Sequence, residues 1–600
     1  NPECIAQEFT LGTSQLIRSI MNFLESRRQR CLAVLLVIAV LKGDLHAEEK
    51  PSPEKSKQTL YNGIELPQQW PPRIKTMAPA HETDPVVPAY LQKPPAVIPI
   101  DVGRQLLVDD FLIEDSNLKR SFYALKPYNK NPILVANQPW EFEGKWTRGD
   151  GREFQGPYAM PFSDGVWYDP ADKLFKMWYM GGLLHCTCYA TSRDGLNWEK
   201  PELDVVAGTN IVHAGNRDSA SVWLDLDESD PERRFKLFRY EKNPIRGNIF
   251  ALHFSPDGIH WSKEIRQAGP AYDRTTAFYN PFRKVWVYSL KSAYPKAGAP
   301  DVFPVRRYWE ADDLVHSPMW PSYTSPLLWT NTDRLDVPLL TSGYRRAFIY
   351  NLDVVAYESV MLGLFTLHQR THTKEGRPKK NEVFVGFSRD GFSWDRPWRK
   401  PFVSVSDKKG AWNWGNVQSV GGCCLIVGDK LHFYYSGRAG TGRLGEEKSF
   451  YDADGSTGVG FLRRDGFASL DAGPDGGAVL TRPISFKGRY LFVNTNARGR
   501  LLAEVLDQHG KVIEGFSKES CIPVTGDKTL AAVSWENGAD LSDLAGKAVQ
   551  IRFHITDGEL YSFWVSPDKT GASYGYVAAG GPGFTSSRDT VGRVTIPHTP

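Results

Sequence analysis

Four aspartates of this 600-residue chain each stand just before an apolar, strand-like run: Asp164 in PFSDGVWY, Asp218 in NRDSASVWL, Asp273 in YDRTTAFY and Asp353 in NLDVVAY. Asn416 and Gln418, in GNVQSV, hold the corresponding place before a fifth run. Carboxylates gathered from separate strand starts can divide acid–base work. One protonates a leaving oxygen, while another attacks the anomeric carbon or activates water. Burial and mutual charge push their pKa values apart, and glycoside hydrolysis needs that separation. Asp164, Asp218 and Asp273 are therefore the candidate catalytic residues, with Glu241 in FRYEK as a further acid at the rim. His185, Asp353, His368, Arg370, Gln418 and Arg438 are the candidate substrate-binding residues. Any one aspartate would equally serve to cap a strand end or to pair with Arg217 or Arg274. Arg370, His372 and Arg438 suit an anionic or sulfated sugar, and surface ion pairs account for them equally well.

The elements that must position these residues are strands. Runs such as LFKMWYMGG, RFKLFRYE and EVFVGF are short, β-branched and aromatic, and Gly-Asp turns separate them. A heptapeptide punctuates the series: SRDGLNW from Ser192, SPDGIHW from Ser255 and SRDGFSW from Ser388. The first interval is 63 residues and the second about twice that. A degenerate copy belongs between them, and EADDLVH from Glu310 fits. RRDGF at Arg463–Phe467 fits a fifth. Strand–turn–strand units repeated at this period read as propeller blades, five of them over 99–475.

In each unit the heptapeptide is the turn between third and fourth strands. Its Asp hydrogen-bonds the turn backbone, its Gly takes positive φ and its Trp packs on a neighbouring blade. Strand direction then sorts the polar residues. Asp169, the run 224–230, Asn280 and the run 427–430 fall at turns on the face away from the inner-strand starts.

Outside the ring, alternating strands over 476–566 read as a β-sandwich. Residues 48–98 read as a Pro-rich linker and 567–600 as a mobile tail. From Met21 a basic stretch (Arg27, Arg28, Arg30), an apolar run Cys31 to Leu41 and a site after Ala47 have the layout of a secretory signal peptide. Export is expected, secreted or periplasmic. No second hydrophobic span follows, so no membrane span is expected. Net charge is +3 and no Lys/Arg block tracks a phosphate backbone, which excludes nucleic acid as a partner. Past the leader stand Cys186, Cys188, Cys423, Cys424 and Cys521, without a Cys-x-x-Cys pair or a zinc framework. Disulfides and buried thiols are both open.

With its five units, the FKMWY second strand, the YATSRDGLNW turn and the C-terminal sandwich, the chain resembles glycoside hydrolase family 32 and its relatives, family 43 among them. The likeness covers roughly 100–566. The motifs LLVDDFLIE and LRRDGFASLDAG are similar to those of exported planctomycete-type proteins of that kind. The resemblance implies a nucleophilic Asp on blade one, a stabilising Asp on blade two and an acid/base residue on blade three. By position these are Asp164, Asp218 and Asp273, the last an Asp where the family has Glu, so that Glu241 becomes a substitute acid. The Asn-Asp-Pro-Asn-Gly and Glu-Cys motifs of fructoside-cleaving members are absent. A central structural metal ion, as in some family 43 relatives, is compatible with this, although the sequence shows no ligand set and needs no cofactor.

The expectation is thus an all-β, exported glycosidase, exo-acting on a plant or marine polysaccharide or oligosaccharide, with Trp and Tyr as stacking platforms. Two other functions fit the same pattern: a carbohydrate-binding propeller without turnover, and a glycoside phosphorylase using the basic groups for phosphate. Oligomeric state is not fixed by the sequence.

Overall fold

The computed structural model describes residues 58–78, 82–147, 151, 153–243, 247–295, 302–339, 347–371, 377, 379–441 and 454–592. The expected leader and His372 lie outside them, as does the side chain of Arg370. Among the described residues no helix is long and apolar enough to cross a membrane.

Five antiparallel sheets form the ring. Blade one runs from an interrupted inner strand, Ala159–Met160 and Val166–Asp169, through Leu174–Gly181 and Cys186–Ser192 to Ile211–His213. Blade two is Ala220–Leu224, Phe235–Asn243, Gly247–Ser255 and Arg266–Pro270. Blade three is Thr276–Asn280, Val285–Pro295, Val302–Ala311 and Leu327–Thr330. Blade four is Phe348–Glu358, Val360–Thr371 and Lys379–Ser388, with bridges from Asp395 and Val403 at the outer edge. Blade five pairs Asn416–Gln418 and Leu425–Val427 with Lys430–Arg438, followed by Gly455–Arg463. Its outer strand, Lys126–Pro127, comes from ahead of blade one, so the first and last parts of the ring hydrogen-bond to each other.

Apolar contacts lie between blades as well as within them. One cluster joins Phe238 and Phe250 of blade two to Trp286 and Tyr288 of blade three. Another joins Val355 and Leu362 of blade four to Phe433 of blade five. An inner or middle strand flanked by two blades has no wet face. This is why IYNLDVVAYE is buried throughout and does not alternate.

The heptapeptide turns take the expected form. Asp194, Asp257 and Asp390 each accept from the backbone N–H groups two and three residues on, at 2.6–2.9 Å. Ser192, Ser255 and Ser388 each accept from the turn glycine at 2.8–2.9 Å. Each turn is also fastened to the preceding blade. Tyr434 donates to the carbonyl of Gly195, Trp178 to Gly258 and Trp329 to Phe392. The degenerate copy is offset by one residue, and Asp313 accepts from Val315 and His316.

In the fifth copy the aspartate has a different task. Asp465 accepts from Arg104, Tyr357, Asn494 and Ser562, while neighbouring Arg464 pairs with Glu358 and Asp589. All of these are buried. Burial raises the Asp465 carboxyl, but Arg104 and Arg464 outweigh it and hold the group at about 2. This network joins blades four and five to a further antiparallel sheet.

That sheet contains Tyr490–Leu506, Val524–Ala532, Gln550–Ser566, Gly477–Thr481 and Ala468–Ala472. It also contains Gln105–Leu106, Ile113–Ser116 and Lys119–Phe122, residues expected in the propeller. LLVDDFLIE belongs to this sheet because Leu107, Phe111 and Ile113 fill its core, alongside Val493, Ile551 and Phe563.

Two further expectations are corrected. The stretch taken as a linker buries Leu60, Ile64, Leu66 and Tyr90 in the same core. The stretch taken as a mobile tail crosses the far end of the propeller axis. Val577 pairs with Tyr357 of blade four, Ala579 with Tyr168 and Cys424 of blades one and five, and Gly580 with Ile426. Apolar and backbone pairing hold both segments, and proline and glycine content gives no sign of it. Cys186, Cys188, Cys423, Cys424 and Cys521 are buried free thiols.

Candidate active site

The inner-strand starts and the ends of the second strands share one face, as strand direction requires. At its centre is Phe162, fully buried and in the left-handed region at φ 44°. The Arg274 guanidinium lies 4.0 Å from its ring centroid and that of Arg438 5.2 Å. The interrupted inner strands of blades one and five bulge towards each other here. Gly421 N–H donates to the carbonyl of Phe162, and Gly165 sits where a Cβ would lie 2.6 Å from Gly421.

Asp164 is buried beneath this floor. Arg217 grips it bidentately, with Nη2–Oδ2 at 2.8 Å, and also donates to Thr187 Oγ1 at 3.0 Å. Burial pushes the Asp164 carboxyl up, against the pull of Arg217. Asp353 is likewise buried and raised by burial; it accepts from Asn351 Nδ2 at 2.6 Å and Val420 N–H at 2.8 Å. Both fasten the bulges. The structure therefore puts Asp164 and Asp353 in supporting positions beneath the open face.

Asp218 and Asp273 stand differently. Their side chains are 20% and 32% exposed, in contact with Arg274 Nη2 at 3.0 Å and Lys291 Nζ at 2.7 Å. Both carboxylates act on Arg274, strengthening its hold on its proton against burial. Both also raise the Tyr240 hydroxyl, adding to the effect of burial. Two acids ahead of successive inner strands thus act electrostatically on one guanidinium and one phenol. Beside them Tyr272, 38% exposed, lies against Tyr323 with ring centroids 4.6 Å apart.

Two other buried arginines back this floor. Arg306 donates to the Arg274 carbonyl and to Ser289, and its removal from water brings it down to about 9. Arg438 donates to Gln418 Oε1 at 3.0 Å; Asn381 donates to the same oxygen at 3.2 Å and bonds His368 Nδ1 at 2.8 Å. Gln418 and Arg438 are buried, and His368 is half-buried against Phe348. His185 is farther out on blade one, 3.4 Å from Glu143.

Glu241 belongs to a separate group on the same face. Burial works to raise its carboxyl, while the hydrogen-bonded Arg239 guanidinium favours the charged form and prevails, so it is a poor proton donor. His213 and His253 complete a set whose potential ligand atoms all lie within 4.8 Å of one another. Neither histidine stands in a recognisable spacing motif. Their meeting depends on blade packing, as does that of Arg217 with Asp164.

No protein-family model and no curated protein matches the chain. Among solved structures, the N-acetylgalactosamine deacetylase from F. plautii is similar at TM-score 0.37 and 13% identity, over 55% of this chain and 96% of that one. A thermostable family-43 glycoside hydrolase is similar at TM-score 0.35 and 12% identity, over 52% and 92%. A Bombyx mori family-32 beta-fructofuranosidase is similar at TM-score 0.34 and 12% identity, over 69% and 92%. The likeness is one of backbone course at low identity and leaves the substrate open.

Proposed function

We propose that the chain is a carbohydrate-active hydrolase that cleaves glycosidic bonds at the mouth between blades two and three. One observation carries this reading: two partly exposed carboxylates, Asp218 on Arg274 and Asp273 on Lys291, both act electrostatically on Arg274 and Tyr240 beside the stacked Tyr272 and Tyr323, of which Tyr272 is exposed. Tyrosine faces stack on the apolar side of a sugar ring, and paired carboxylates are the working parts of glycoside hydrolysis.

Their partners divide the roles. Arg274 is buried against Phe162 and cannot swing away, so it holds the Asp218 carboxylate in place as nucleophile or base. Lys291 is a flexible chain on the more exposed Asp273, and a bound sugar that displaces it brings Asp273 to the leaving oxygen as proton donor. In this proposal the leader over Met21–Ala47 directs the enzyme out of the cytoplasm, and N-terminal sequencing of secreted protein checks that part.

The test is a polysaccharide and aryl-glycoside panel, read for reducing ends with and without inorganic phosphate. Asp218→Asn should lose activity at least 100-fold on every substrate. Asp273→Asn should lose as much on natural linkages and recover on aryl glycosides whose leaving group needs no proton. Full activity in both variants would overturn the assignment. Sugar phosphate as product would make the chain a phosphorylase, and binding without turnover a lectin-like propeller.

A further inference from the structure

His213 ends the outer strand of blade one, and Glu241 and His253 lie on the second and third strands of blade two. On blade two, Glu241 and His253 project from the same face, separated by the Arg239–Ala251 pair. His253 Nε2 is 3.8 Å from Glu241 Oε1, beyond hydrogen-bond reach.

The rings are oriented from behind. His253 Nδ1 lies 3.0 Å from the carbonyl of Ser262, and His213 Nδ1 lies 2.8 Å from that of Ala214. A carbonyl oxygen can only accept, so each Nδ1 carries a hydrogen, and in the neutral ring the lone pair is on Nε2. A hydrogen bond on the rear nitrogen is the arrangement that fixes metal-ligating histidines. His253 is 4% exposed, and its Nε2 has no hydrogen-bond partner. A buried lone pair aimed at a second imidazole and a carboxylate calls for something electropositive between them.

We propose that His213, Glu241 and His253 bind a divalent transition-metal ion, Zn2+ in the first instance. Two imidazoles and one carboxylate suit zinc and its neighbours, whereas Ca2+ and Mg2+ take mostly oxygen ligands. Ligands at about 2.1 Å from a tetrahedral ion stand roughly 3.4 Å apart. The set needs to contract only slightly from its present spread, and His213 and Glu241 are only half-buried. Arg239 holds one oxygen of Glu241 and the carboxylate has a second. Three protein ligands leave a fourth position for water or substrate. The site stands independently of which bond Asp218 and Asp273 act on.

Tag-free protein stripped with chelator, then titrated with Zn2+ by calorimetry and with Co2+ by visible absorption, tests the site. One equivalent of each should bind with micromolar or tighter Kd, Co2+ giving the intense d–d bands of a four-coordinate site. Ca2+ and Mg2+ should not compete. His253→Ala and Glu241→Gln should each weaken Zn2+ binding at least 100-fold, while His509→Ala, at an exposed histidine elsewhere, should leave it unchanged. Glu241→Gln keeps the side-chain volume at a half-exposed position, so it stays informative if His253→Ala fails to fold. Absent binding, or binding that survives both Glu241→Gln and His253→Ala, would overturn the proposal.

Discussion

Single residues here are set by what surrounds them more than by type. Asp164 and Asp218 look alike in sequence, yet one lies buried in the grip of Arg217 and the other stands partly open on Arg274. That both face the axis is legible from their place before an inner strand. Which of them meets solvent depends on the Phe162 bulge, a local departure from strand geometry that periodicity does not register. His432 gives a sharper case. It is buried against Phe461, and burial brings it down to about 3 from an ordinary 6.5. Between those values the unfolded chain binds a proton that the folded chain refuses. Stability is therefore full above 6.5 and falls as pH drops towards about 3. His432→Leu should leave the unfolding temperature at pH 8 nearly unchanged and make its decline between pH 6.5 and 4 shallower than in the parent. Parallel declines would show that this imidazole does not govern acid sensitivity.

At the scale of elements, the heptapeptide is the most readable feature of the chain. Its Asp, Gly and Ser do local work that any strand–turn–strand needs, so their spacing survives in sequence. The partner of each turn does not. Gly258 lies at φ +81°, and a Cβ there would stand 2.4 Å from Trp178 on the preceding blade. Gly208, at φ +73°, has open space around it. Gly258→Ala should cost roughly 3 kcal/mol in urea unfolding, and Gly208→Ala about 1, the difference being the clash with the tryptophan. Equal losses would mean that backbone strain alone fixes glycine in the repeat. The fifth copy shows where the pattern stops being informative. RRDGF keeps its turn, but Asp465 turns away to Arg104, because the strand that follows leaves the propeller for the neighbouring sheet.

At the scale of the molecule, the boundaries are what the sequence conceals. Strands from 105–122 and from beyond 468 pair in one sheet, an arrangement that no local pattern can announce. The segment after Ser566 is rich in glycine and serine, yet Ala572, Val577, Ala579 and Phe584 are buried and Asp589 is an acceptor for Arg464. A chain ending at Lys569 should melt well below the full chain and bind an apolar dye at Trp167, Trp223 and Tyr279, which the segment now covers. An unchanged midpoint would show that the segment is dispensable. The closing strand Lys126–Pro127 has a consequence for synthesis. Its partner, Gly455–Arg463, leaves the ribosome more than three hundred residues later. Until then the nascent polypeptide carries an open β edge that no earlier blade can satisfy, and chaperones have that interval in which to hold it unfolded.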